Sequence, residues 1–112
     1  VKTKSAKAKA RRLQDAVVNA ILWTFLDLEP DDVRAAVMGE SGADVKLSPL
    51  GRDYFPYAVE AKNTERLDVW GALKQAEAHA EKEGGEPIVV FKRNGSEIYV
   101  IQKFNAWLRD VS

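Results

Sequence analysis

Three side chains in this 112-residue chain have the types and spacing to do chemistry together: Asp44, and Glu60 with Lys62 in the segment FPYAVEAKNTE, residues 55–65. That segment begins as an apolar strand, and strand side chains alternate between faces. Phe55, Tyr57, Val59 and Ala61 point one way, and Ala58, Glu60 and Lys62 the other. Glu60 and Lys62 therefore share a face, with Cα atoms roughly 6–7 Å apart. Ala61 between them is small, and its carbonyl lies at the sheet edge. If a strand carrying Asp44 pairs alongside, the Asp44 carboxylate meets that of Glu60. Two such carboxylates repel unless a proton or a cation separates them. Mg²⁺ suits the pair, because it takes carboxylate, carbonyl and water oxygens. A charged lysine is no ligand, but it can hold a water or stabilise negative charge growing on a phosphate. The three residues form a coherent set for hydrolysing a phosphodiester. The plainer alternative is a solvated strand end with ordinary surface charges.

Elements must hold these residues in place. The spacing of Leu13, Val17, Ala20, Ile21 and Thr24 predicts a helix from about Lys9 to Phe25. Pro30, with Asp31 and Asp32 behind it, predicts a second helix over 30–38, with Val33, Ala36 and Val37 inward and Gly39 at its end. The segment GESGADVKLSP then supplies a glycine turn and a short strand over 43–47. Ser48-Pro49 signals one short helical turn. Strand 56–62 is followed by a helix over 68–82, its apolar side set by Leu67, Trp70, Leu73, Ala76 and Ala80 and its end by Gly84-Gly85. PIVVFK, residues 87–92, is expected as a strand covered on both faces. Asn94-Gly95 turns it into a returning strand over 97–103. Phe104, Trp107 and Leu108 have the spacing of a closing helix. The expected order is α-α-β-β-α-β-β-α, a single α/β domain with a mixed sheet flanked by helices.

Composition narrows the class. Hydrophobic residues are 46% and charged residues 30%, as in a soluble globular domain. No apolar run nears the roughly 20 residues of a membrane span, and no signal peptide is evident. With no cysteine and only His79, disulfides, thiolate sites and multi-histidine metal sites within one chain are excluded. These features suit a cytoplasmic protein. The net charge is zero but uneven. Lys2, Lys4, Lys7, Lys9, Arg11 and Arg12 are six of the 17 basic residues, leaving 11 against 17 acids, about −6, over residues 13–112. Residues 1–8 are expected to be a frayed basic arm on an acidic body. Such an arm fits a polyanionic partner or a merely solubilising tail.

The order of motifs resembles the PD-(D/E)xK nuclease superfamily, most closely its archaeal- and phage-type Holliday junction resolvases. The resemblance runs from about Arg11 to Lys103. It is carried by Val33-Arg34, the turn Gly39-Glu40-Ser41-Gly42, Asp44, Glu60-Ala61-Lys62-Asn63-Thr64, Gln75 and Gly85-Glu86-Pro87. It implies a restriction-endonuclease-like fold and a Mg²⁺-dependent DNA endonuclease, with Mn²⁺ able to substitute. It implies Asp44, Glu60 and the Ala61 carbonyl as metal ligands and Lys62 as the catalytic lysine. Gln75 would line the site from its helix and Ser41 would lie near a phosphate. Branched DNA as substrate and a homodimer acting in a cytoplasm, that of a cell or of a phage's host, are also implied.

The chain departs from the pattern. Where those nucleases usually carry a first-helix glutamate, it has Gln14, and Glu40 is the nearby acid that would substitute. A structure-nonspecific or nicking nuclease of a phage or mobile element therefore stays open, as does a non-catalytic DNA-binding module. Arg11, Arg12, Arg34, Lys46 and Arg52 are further candidates for phosphate contacts. His79, four residues after Gln75, shares its helical face. Trp23, Trp70 and Trp107 are expected in the core or at a dimer interface. Lys92-Arg93 is expected to face solvent.

Overall fold

A computed structural model describes residues 2–112. Helix α1 (Lys2–Thr24) is built from Ala, Lys, Arg and Leu, strong helix formers, and buries Leu13, Val17, Val18 and Ile21 along one stripe. It starts at Lys2, so residues 2–8 form its first turns rather than the expected frayed arm. Val1 lies outside the described residues.

The expected helix over 30–38 is absent. A turn leads instead into strand β1 (Val33–Ala35), paired antiparallel with β2 (Val45–Leu47). Pro30-Asp31-Asp32 has the letters of a helix start, but Asp32 spends its side chain otherwise. Its carboxylate accepts from the Glu29 N–H at 2.8 Å and the Ser48 hydroxyl at 2.7 Å, closing a turn. A helix this short is marginal in water. As a strand, the same segment buries Val33 almost completely and satisfies its backbone against β2. Ser48 also caps the short helix α2 (Pro49–Tyr54), accepting from the Gly51 N–H.

Strand β3 (Tyr57–Asn63) runs parallel to β4 (Glu86–Lys92) through helix α3 (Val69–Glu83). Asp68 caps α3, and Gly84, at φ +87°, ends it. The Asn94-Gly95 turn returns the chain antiparallel as β5 (Tyr99–Gln102), and α4 (Phe104–Val111) follows. The three-stranded sheet has the order β3-β4-β5. The N–H of Asp44 donates to the Val59 carbonyl at 2.9 Å, joining the small β1–β2 sheet to the free edge of β3.

Two cores lie on opposite faces. On one, Val59, Ala61, Ile88 and Val90 pack with α1, Val33 and Val45. On the other, Val89 packs against Ala72 and Ala76 of α3. Fully burying each such valine contributes roughly 1.5–3 kcal/mol. The chain is thus a mixed α/β layered fold. No helix is long and apolar enough to cross a membrane among the described residues.

Candidate active site

The site forms at the edge of β3 that faces the β1–β2 sheet. Asp44 does not sit within a strand as expected; it lies in the bend just before β2. Its Oδ2 accepts from the Ala61 N–H at 2.7 Å. Residue N–H and C=O groups of a strand point to the same edge, so the Ala61 carbonyl also faces this side. Glu60 is buried, at 6% exposure. Its two oxygens are each engaged: Oε1 with Nε2 of His79 at 2.7 Å, Oε2 with Nζ of Lys62 at 3.1 Å. Asp44, Glu60, Ala61 and Lys62 therefore come together, with His79 joining from α3.

Electrostatics set Asp44 apart. Burial pushes its carboxyl up, the Ala61 N–H pulls it back, and the negative charge of Glu60 pushes it up again. His79 and Lys62 pull it down by less, and the net is a pKa above the ordinary aspartate value, set first by burial. The donor types fit a hard cation: the Asp44 oxygen not bonded to Ala61, the Ala61 carbonyl and the lone pairs that Glu60 does not give to His79 and Lys62 are all oxygens. Among the described residues no group of three or more His, Cys, Asp or Glu side chains gathers for a metal, so a carbonyl and waters would supply the remaining ligands.

The other expected residues fall variously. Gln14 is half-buried and lines a groove with Arg11, Glu40 and Asp44, so it does approach the site. Gln75 is exposed and shares a separate depression with Lys62. Glu40 is not the free substitute acid. Arg34 holds both its oxygens at 2.9 Å and the Val37 N–H donates at 3.0 Å, taking its pKa down to about 2. Arg34 is correspondingly occupied. Arg11 donates to the Ala36 carbonyl at 3.1 Å and sits 3.6 Å from Asp15. Arg12 is exposed and lines a different groove. Lys46 is half-buried, bonded to Glu83 and to the carbonyl of Ser41, so it holds the turn instead of meeting solvent. The Ser41 hydroxyl accepts from Lys82 at 3.2 Å. Arg52 lines a cavity with Pro56, Gly84, Ala43 and Glu83 and does not share a groove with Asp44. Trp23 and Trp70 are more than four-fifths exposed and belong to no core; Trp107 is half-exposed.

Glu83 is a positioning residue that the sequence did not reveal. Its Oε2 accepts from the Ala43 N–H at 2.7 Å, beside Asp44, and its Oε1 meets Lys46 at 3.2 Å. Burial works to raise its pKa, but these two donors outweigh it and hold it low. The latch explains Gly42, whose φ is +94° and where any Cβ would collide with the Glu83 carboxylate. A signal was present: Ala72, Ala76, His79 and Glu83 recur at helical spacing on the face α3 turns to the sheet.

Neither a family model, nor a curated protein, nor a solved structure matches this chain.

Proposed function

We propose that this protein is a Mg²⁺-dependent DNA endonuclease of the restriction-endonuclease-like fold, acting on branched DNA such as a Holliday junction. The observation that carries it is the bond from the Ala61 N–H to Asp44, which brings an aspartate onto the Glu60-Ala61-Lys62 strand at the one residue between glutamate and lysine. The element order supports the fold: a helix, an antiparallel pair abutting β3, then a parallel crossover to β4.

Asp44, Glu60 and the Ala61 carbonyl would hold Mg²⁺, or Mn²⁺ in its place. An ion held there would supply Lewis acidity at the phosphodiester. Lys62 then offers its ammonium to the charge that develops on the phosphoryl oxygens, an interaction stronger in the transition state than before it. His79 holds the Glu60 carboxylate in place through its 2.7 Å contact. Gln14 orients water or a phosphate oxygen from the α1 side, with Gln75 doing so from the α3 side.

A non-catalytic DNA-binding module is the second reading. It is favoured by the engagement of both Glu60 oxygens within the protein and by a glutamine at position 14. Incubation with a four-way junction, a supercoiled plasmid and a linear duplex, with Mg²⁺ and with chelator, separates the readings. Cleavage confined to the junction and lost with chelator is expected. Binding without cleavage removes the enzyme; equal cutting of linear duplex removes the preference for branches.

A homodimer would place two such sites on two strands. Helix α4 supports it. Arg109 bonds Glu86 at 2.6 Å, and Asp110 accepts from Tyr57 at 2.7 Å and Gln102 at 3.2 Å, so its polar side faces the body. Phe104, Trp107, Leu108 and Val111 form an uncharged stripe left 42–69% exposed. A two-fold axis sets a patch against itself, which an uncharged patch tolerates without repulsion. Pairing Trp107→Arg with Leu108→Glu should convert a dimer to a monomer in sedimentation. A wild type that is monomeric at tens of micromolar would contradict it.

A further inference from the structure

A second groove opens on the opposite face of β3's carboxyl end, between α1 and the β4–β5 hairpin. Lys9 and Arg12 of α1, Asn63 of β3, Lys92 of β4 and the Asn94-Gly95 turn line it. Lys92 is half-buried here rather than a plain solvent-facing charge. Asn63 and Lys92 are register partners in parallel strands, so their side chains lie on one sheet face about 4.8 Å apart at Cα. Three cations thus converge. Among the described residues none of Lys9, Arg12 and Lys92 is in an ion pair. An acid adjoins the turn: Glu65 accepts from the Asn94 N–H at 2.7 Å.

Asn63 adds a second sign of unfinished bonding. Its amide donates to the Lys9 carbonyl at 3.3 Å, while its Oδ1 is buried with no partner. A buried acceptor without a donor calls for an explanation. A lysine ammonium has three donors, so one drawn over the groove by an anion can serve the Asn63 oxygen and the anion together.

The groove's place matters as much as its charge. Ligands of parallel sheets gather beyond the carboxyl ends of the strands, and β3 and β4 both end here. Lys62 and Asn63 are successive residues on opposite faces of that end. A polynucleotide strand crossing the end of β3 meets Lys62 on one side and this groove on the other.

We propose that the groove is a phosphate subsite, in which Lys9, Arg12 and Lys92 grip a backbone phosphate neighbouring the one that is cleaved. It deepens the endonuclease reading and rests on it for the identity of the strand. It needs no metal, and that allows the two to fail separately. The test is binding of a four-way DNA junction in chelator across a salt series, for wild type, the double variant Arg12→Gln/Lys92→Gln, and Lys103→Gln, just before helix α4, as a control.

The double variant should lose about tenfold in affinity, and its slope of log K on log salt should flatten by about 1. Lys103→Gln should change neither. Unchanged affinity and slope in the double variant, or an equal effect in the control, overturns the subsite while leaving the nuclease reading intact. A wild type that binds but never cleaves with Mg²⁺, paired with the flattened slope, keeps the subsite and removes the nuclease. A wild type that binds no nucleic acid removes both. Unchanged far-ultraviolet circular dichroism and melting temperature establish that the variants are folded.

Discussion

Two carboxylates, one inside the glycine turn and one just after it, behave in opposite ways. Glu40 is clasped by Arg34 and the Val37 N–H, and its pKa falls to about 2. Asp44, four residues on, is pressed into the protein beside Glu60, and its pKa rises. Glu40 has every partner it needs and fixes the turn. Asp44 has one N–H, a like charge and only a smaller pull from His79 and Lys62, so a cation would relieve it. The difference marks Glu40 as the carboxylate tied into the turn and Asp44 as the one that the proposed function assigns to a cation.

Asp44→Asn is the largest way to break that contrast. It should abolish cleavage, by more than about 10³-fold as expected when a metal site is lost. Stability should hold or improve. Because the folded-state pKa of Asp44 is raised, its contribution is greatest below the unfolded value of 3.8 and is lost as pH rises through the folded pKa. Asparagine removes that loss, so the melting temperature at pH 7 should stay the same or rise by a few degrees. A marked fall would show the carboxylate to be a structural brace.

The titration order sharpens it further. Ordinary values put aspartate below glutamate. In metal-free protein, carboxyl resonances should show Asp44 titrating above Glu40, with Glu40 near 2. The normal order would erase the distinction. Glu40→Gln should be milder than any change at Asp44, leaving cleavage within about threefold by analogy with other exposed ion pairs. A loss comparable to that of Asp44→Asn would return Glu40 to the metal. Smallest of all, Gln14→Glu should keep or modestly raise activity, since an acid there adds charge to a cation's edge. A steep loss would assign Gln14 a specific amide contact.

What could be read from the sequence divides along physical lines. The Glu60/Lys62 face was legible because strand alternation is strict, and the β4–β5 turn because Asn-Gly has few other uses. The helix over 30–38 was misread because a proline followed by two aspartates starts helices and closes turns alike. Only the partners of Asp32, Glu29 and Ser48, decide between them. At α3 the expected apolar side holds at Leu67, Leu73 and Ala76, which pack toward the sheet, and fails at Trp70, which is exposed; Ala72, His79 and Glu83 complete the inner face. Alanines give weak direction, and polar residues on an inner face look like surface until their partners are known. Asp44 was located by motif order. Its bond to Ala61 depends on how two sheets abut, which no local spacing encodes.

Lys62→Ala tests the central claim most directly, measured as single-turnover cleavage of a bound four-way junction in Mg²⁺ alongside its binding in chelator. The account predicts a loss of at least about 10²-fold in rate, the scale for removing one charge-stabilising donor, with affinity nearly unchanged. A rate close to wild type would contradict it.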